Sequence, residues 1–391
     1  MNIAIDYFHQ SLMKKNESVC GDHTVYSYDD TQFLCVLADG LGSGVKANIL
    51  AHLTATMLHR LFKEGVDLEE SIASISATLP QCQERNIAYS TFSLLQIKQD
   101  GSCLLVEFDN PFIHIIRNQE IMPLKRESHW YKDRQVYSCE CILQENDLVV
   151  MISDGALYAN NSETLNNHWQ ESDVYQHIVR TSSINDTARN IGQYLIESIN
   201  KLYDDQPQDD VSVIICKIIK QTNSVVMVGP PKDKAHDAIL VKQLLMADGL
   251  KMVCGGTTSQ IVARECKKKI VIDDAYFNRS DLPPTAQIEG IDFVSEGILT
   301  LGRCVDYFVE ATNNEEFKNY LCHSQAKDGA HQLFQMLMND CSKITFYVGQ
   351  AQNDAHNVLS TSLSVNMKNK LVKRIATHLQ KFNKLVTIHY V

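Results

Sequence analysis

The run TQFLCVLADGLGSG, residues 31–44, decides how the rest of the chain is read. Its first eight residues are apolar enough for a buried strand, and that strand runs into a turn at Asp39-Gly40 before helical spacing begins. A strand ending this way delivers a carboxylate to a sheet edge, while the glycine lets the chain turn sharply with its carbonyl free. Downstream, Val45, Ile49, Leu53, Met57 and Leu61 recur at helical spacing, which predicts that this face of residues 44–62 packs against something apolar. A second helix is expected over 68–79, stopped by Pro80.

Beyond it the pattern turns to short β-rich runs at 90–97, 103–108, 112–117, 135–139 and 147–153, with turn signals such as Asp109-Asn110-Pro111 between them. These spacings suit antiparallel meanders. Helices are expected over 173–181 and 185–202, and a last strand over 211–219. Strands interleaved with helical pairs predict an α+β fold, an antiparallel β-sandwich flanked by helices. The polar stretch KQTNS at 220–224 marks a boundary, and after it the rhythm becomes strand, loop, helix. Two domains are therefore expected: 1–220, and a smaller α/β domain over 224–391. In the second, strands are expected at 224–229, 250–256, 268–273, 343–349 and 384–391, with helices at 235–246, 258–266, 315–322, 330–339 and 368–381.

Composition narrows the function classes. The 391 residues carry a net charge of −11. Met1–Lys220 holds 17 Lys and Arg against 30 Asp and Glu, a balance of −13, whereas the remainder holds 19 against 17. An acidic domain is a poor platform for nucleic acid, which demands basic groups to neutralise its phosphates. No run is long and apolar enough to cross a bilayer, and the first residues lack a signal-peptide pattern, so a cytoplasmic protein with no membrane partner is expected. Twelve cysteines spread without pairing fit reduced, mostly buried thiols.

Three acidic motifs sit at strand ends: Asp39-Gly40, Asp154-Gly155 and Asp209-Asp210. Carboxylates there can converge, and a hard divalent ion takes oxygen ligands while keeping several waters. Singly, Asp-Gly is a common turn dipeptide, and Asp100-Gly101, Asp248-Gly249 and Asp328-Gly329 read as such. Order and context distinguish the three. Gly21-Asp22 in ESVCGDHTVYS, then CVLADGLGSGVKA, STFSLLQI, EFDNPFIHIIRNQE, LQENDLVVMISDGALYA and QPQDDVSVIICKI follow one another over residues 10–220. This succession resembles the metal-dependent protein phosphatases of the 2C type, in their bacterial SpoIIE branch.

The resemblance implies a serine/threonine phosphatase with two Mn²⁺ or Mg²⁺ ions, acting in signal transduction on a phosphorylated regulatory protein. It implies that Asp39 bridges the ions, that the Gly40 carbonyl helps to hold one, and that Asp154 and Asp209 complete the coordination of one. Asp39 and Asp154 would be the catalytic pair. Asp22 would bind through water or at the edge, and Asp210 takes a place often held by Asn, so Asp209 is preferred as ligand. The segment KKNESVCGD lacks the arginine that some branches use for substrate phosphate, leaving Lys14 or Lys15 to substitute.

Other constellations point less far. Gly40-Leu41-Gly42-Ser43-Gly44 has neither dinucleotide nor Walker spacing. In the second domain Gly255, Gly256 and Thr257 lie between a strand and a helix, where free N–H groups can grip a small anion, with Gly229-Pro230-Pro231 as the other wall. A plain tight turn capped by Thr258 is the competing reading. Cys139-Glu140-Cys141 is the nearest approach to a thiolate metal motif, and no CxxC pair exists. Two rivals to the phosphatase stand: a regulatory ligand-binding protein on a phosphatase-fold scaffold, and an enzyme using Glu289, Asp292 and Glu296, residues that read equally well as a solvated loop.

Overall fold

The computed structural model describes residues 2–78, 90–131, 134–159, 169–272, 285–326, 328–351 and 358–391. The chain divides into two compact units, Met1–Lys220 and Gln221–Val391.

In the first unit the strands are β1 (Ile3–Leu12), β2 (Asp22–Tyr28), β3 (Gln32–Gly40), β4 (Ser90–Lys98), β5 (Ser102–Phe108), β6 (His114–Arg117), β7 (Glu120–Ile121), β8 (Glu127–Tyr131), β9 (Arg134–Ile142), β10 (Leu148–Ile152) and β11 (Val211–Lys220). Four helices accompany them: α1 (Gly44–Lys63), α2 (Leu68–Thr78), α3 (Glu171–Thr181) and α4 (Ala188–Leu202). Two antiparallel sheets form, in the orders β1-β11-β10-β6-β7 and β2-β3-β4-β5-β9-β8.

Strand alternation explains the layering. On β3, Phe33, Cys35 and Leu37 point into a core shared with Ile3, Ile5, Val149, Met151, Ile214 and Cys216 of the other sheet. The intervening Leu34, Val36 and Ala38 point outward and meet Ala51, Ala55, Leu58 and Phe62 of α1. The opposite outer face, with Val150, Ile152, Val213 and Ile215, is covered by Val174 and Ile178 of α3 and Leu195 and Ile199 of α4. The unit is a helix-covered antiparallel sandwich, the α+β class expected. It is not a plain meander, because after β5 the chain crosses to the other sheet at β6.

The expected helical face is buried only in its second half, where Met57 and Leu61 pack against the core. Val45, Ile49 and Leu53 are exposed, and α1 is buried instead along Ala47, Leu50, Ala51, Thr54, Ala55, Leu58 and Phe62. Small residues let α1 lie close on the sheet, and of its larger aliphatic side chains Val45, Ile49 and Leu53 face outward. Pro80, the expected stop of α2, lies outside the described residues.

In the second unit the strands are β12 (Asn223–Val228), β13 (Leu250–Cys254), β14 (Val271–Ile272), β15 (Thr285–Ile288), β16 (Ile291–Ser295), β17 (Lys343–Val348) and β18 (Leu385–Tyr390). The helices are α5 (Asp237–Met246), α6 (Gly256–Cys266), α7 (Ile298–Asn313), α8 (Glu315–His323), α9 (Gly329–Gln335) and α10 (Val358–Lys381). The sheet order is β14-β15-β16-β13-β12-β17-β18, and β16, β13, β12, β17 and β18 are parallel neighbours. The chain enters at the central β12, adds β13, passes to the edge at β14 and works back through β15 to β16 beside β13, then crosses to add β17 and β18 on the other side. α5 and α6 cover one face and α7, α9 and α10 the other, as a doubly wound sheet requires. Asp292 lies on β16 and not in a loop, because Phe293 and Val294 fill the two faces of the sheet.

Candidate metal centre

Five aspartates meet at one end of the sandwich because strands from both sheets terminate there. Asp22 opens β2 directly opposite Asp39, the penultimate residue of β3. From the other sheet, Asp154 begins a short 3₁₀ turn just after β10, and Asp209 and Asp210 immediately precede β11, the strand paired with β10. A buried hydrogen bond ties the sheets together, the Gly21 N–H donating to Asp210 Oδ2 at 2.9 Å. Lys14 N–H donates to the other oxygen of the same carboxylate at 2.9 Å.

Gly40 is fixed by close approach. A Cβ there would collide with the backbone of Ala47 on α1, so the helix can sit against the strand end only if residue 40 has no side chain. The Ser90 hydroxyl donates to the Asp39 carbonyl at 2.9 Å and holds the strand end straight.

The electrostatics are those of a crowded, partly buried carboxylate cluster. Asp22 is 5% exposed, and neither carboxylate oxygen has a hydrogen-bond partner among the described residues. Burial pushes it up to about 7; the Ser153 and Ser212 hydroxyls lie near enough to pull it partly back, but neither makes a hydrogen bond of ordinary geometry to it. Asp39 is pushed up to about 9, first by burial and then by the charges of Asp22, Asp154, Asp209 and Asp210. Burial and Asp209 raise Asp154 as well. The Asp209 side chain is 42% exposed, with the Lys14 ammonium 3.5 Å from Oδ1.

The donor set fits divalent cations. It is all oxygen, it contains an orphaned buried carboxylate, and its charges oppose one another unless something positive lies between them. Among the described residues no three side chains close tightly enough to make a ready-formed ligand cage. Ions that retain part of their water shell suit such a spread arrangement.

Asp22, Asp39, Gly40, Asp154, Asp209 and Asp210 are thus gathered at one sheet end. Asp210 is engaged by two backbone N–H groups, a feature visible only in three dimensions. Lys15 donates to Gln206 Oε1 at 2.5 Å, leaving Lys14 as the ammonium beside the carboxylates. His23 and His52 were not foreseen as a pair; their rings lie at the rim with Nε2 and Nδ1 2.9 Å apart. The thiols of Cys139 and Cys141 are free, as are all eleven cysteines among the described residues. Glu289, Asp292 and Glu296 have separate attachments, Glu289 to Lys268, Asp292 to the Lys251 N–H and Glu296 to the Leu299 N–H.

Residues 29–219 match the family described as Stage II sporulation protein E (SpoIIE). Among curated proteins the chain is 22% identical over 209 residues to the Stage II sporulation protein E of Bacillus subtilis, covering 52% of this chain and 24% of that protein. It is 24% identical over 212 residues to the phosphoserine phosphatase RsbX of the same organism, covering 52% of this chain and 90% of that one. The chain therefore spans about a quarter of the length of the first relative. Among solved structures, the PP2C phosphatase domain of SpoIIE with a fragment of its regulatory domain, from Bacillus subtilis, aligns with a TM-score of 0.48 at 21% identity, covering 56% of this chain and 65% of that one.

Proposed function

We propose, on the premise that residues 29–219 form a SpoIIE-family domain, that this protein hydrolyses phosphoserine or phosphothreonine on a phosphorylated regulatory protein in the cytoplasm. The observation that carries the reading is the convergence of Asp22, Asp39, Asp154 and Asp209 from two sheets, with the Asp22 carboxylate buried and unpartnered. The similarity to a relative named as a phosphoserine phosphatase supports it. The free thiols suit a reducing compartment.

In this reading Asp39, the Gly40 carbonyl, Asp154 and Asp209 would hold two Mn²⁺ or Mg²⁺ ions, and Asp22 would contribute directly or through water. Such ions, when bound, supply a water acidic enough to attack phosphorus and neutralise charge on the phosphoryl oxygens. The chain's own part is positional. Asp39 and Asp154 present carboxylates from opposite sheets, and Asp210 fixes the loop carrying Asp209 by gripping the Lys14 and Gly21 N–H groups. Lys14 offers an ammonium beside Asp209, where an incoming phosphate would meet it. The C-terminal unit would then be a sensing or docking module.

The test is hydrolysis of phosphoserine and phosphothreonine peptides, and of a generic phosphate ester, by the full chain with and without Mn²⁺. Asp39→Asn and Asp154→Asn should each abolish the metal-dependent rate while the protein stays folded. A wild-type protein with no metal-dependent turnover on any of these would leave the scaffold reading in its place.

A further inference from the structure

In a doubly wound sheet the crevice forms beyond the carboxyl ends of the strands, where the order of building reverses, and here that lies between β12 and β17. Each strand around it passes into a glycine: Gly229 after β12, Gly255-Gly256 after β13, Glu296-Gly297 after β16 and Gly349 after β17. The glycines are in mutual contact range. A Cβ on Gly297 would lie 3.3 Å from the Gly255 Cα, one on Gly229 would strike the Lys368 ammonium, and one on Gly349 would strike the Pro230 carbonyl. Gly255, with φ of 127°, also adopts a backbone that L side chains avoid.

This crowding brings the N-terminus of α6 to the crevice with no side-chain cap. Gly255 holds the cap position, and Thr258, the cap in the tight-turn reading of this segment, sits inside the first turn. Its hydroxyl is fully buried, has no partner among the described residues, and points at the cap position, 2.9 Å from where a Gly255 Cβ would be. The N–H groups of Gly256, Thr257 and Thr258 have no acceptor within the helix, and the first two residues are exposed. The neighbouring α7 differs, because Glu296 Oε2 already accepts from the Leu299 N–H at 3.1 Å.

The second charge-bearing feature is Lys368 on α10. It is 8% exposed, and its ammonium reaches the Gly349 carbonyl at the reversal point and lies against Gly229. Among the described residues no carboxylate balances it; burial alone acts on it, holding it down to about 8. A buried ammonium without a counter-ion, beside an uncapped helix N-terminus with an unsatisfied hydroxyl, is a donor set for an oxyanion.

We propose that the C-terminal unit binds a phosphorylated small molecule here, its phosphate seated on the N–H groups of Gly256, Thr257 and Thr258 and the Thr258 hydroxyl, with the Lys368 ammonium balancing its charge. Three backbone donors, a hydroxyl and an ammonium exceed what a carboxylate takes up and match a phosphate. The site is independent of the phosphatase reading.

The test is calorimetric titration of the full chain in EDTA, which keeps the aspartate cluster free of metal, with inorganic phosphate and pyrophosphate as probes. The wild type should bind one equivalent of at least one of them. Thr258→Val, which keeps the volume and removes the hydroxyl, and Lys368→Gln should each weaken binding at least tenfold. Thr258→Val decides alone if Lys368→Gln does not fold. No binding by the wild type at millimolar concentration, or unchanged affinity in Thr258→Val, would overturn the proposal.

Discussion

Adjacent aspartates can hold quite different positions, and Asp209 and Asp210 show how. Asp210 is buried and its carboxylate accepts from two backbone N–H groups, whereas Asp209 is half-exposed and faces Lys14. Asp210→Ala should therefore lower stability by about 1–3 kcal/mol, the cost of leaving buried N–H groups unsatisfied. Asp209→Ala should leave the denaturation midpoint nearly unchanged and weaken Mn²⁺ binding. Urea melts and Mn²⁺ titrations of both variants separate the roles, and a larger stability loss in Asp209→Ala would reverse them. The acidic motifs were legible in the sequence because each sits at a strand end, but their division of labour was not, since Lys14 and Gly21 are nearly 200 positions away from Asp210. Lys368 offers a second test. Its ammonium is held down to about 8 against an ordinary value of 10.5. Between those values the unfolded chain binds a proton that the fold does not, so the contribution to stability rises with pH across that window and the penalty is complete below it. Comparing the wild type with Lys368→Met at pH 7.5 and 10 should show a steeper gain in the wild type; equal slopes would refute this account of the residue.

At the scale of elements, the first half of α1 shows where hydropathy misleads, because Val45, Ile49 and Leu53 are exposed while Met57 and Leu61 pack as expected. The largest aliphatic residues drift around the helix, while the sheet below meets it along Ala47, Ala51 and Ala55, with Leu50, Thr54, Leu58 and Phe62 beside them. Val45→Ser, Ile49→Ser and Leu53→Ser should each stay within about 0.5 kcal/mol of wild type. Leu58→Ala, which empties a fully buried position, should cost about 2–5 kcal/mol. Denaturant midpoints for these four variants check the assignment. Two elements escaped the sequence for other reasons. β1 carries Asp6, His9 and Gln10 among its apolar residues, and it becomes a strand through pairing along its whole length with β11, far away in the chain. α7 begins Ile-Leu-Thr and contains Gly302, a strand-like and broken composition, although Leu301, Cys304, Val305, Phe308 and Ala311 mark its buried face once that spacing is sought. The boundary near residue 220 was legible because a polar stretch there separates two different rhythms. The order of the second sheet was not, because only the return of the chain to β17 beside β12 sets it.

At the scale of the molecule, each unit buries its own apolar clusters, with the sandwich residues grouped apart from those of the doubly wound sheet. Separate cores predict separate responses to ligands. A species that binds only the folded state stabilises it by an amount set by its concentration over its dissociation constant, about 2.7 kcal/mol at a hundredfold excess. On the proposed readings divalent cations would act on the aspartate cluster, relieving repulsion among Asp22, Asp39, Asp154 and Asp209, and pyrophosphate would act on the glycine crevice of the other unit. Scanning calorimetry of the full chain should then resolve two steps, one moved upward by Mn²⁺ and the other by pyrophosphate in EDTA. Asp39→Asn should remove the first response and preserve the second, while Thr258→Val should do the opposite. If both additives move a single step, and each variant loses both responses together, the two cores unfold as one cooperative body and the independence argued from their packing is wrong.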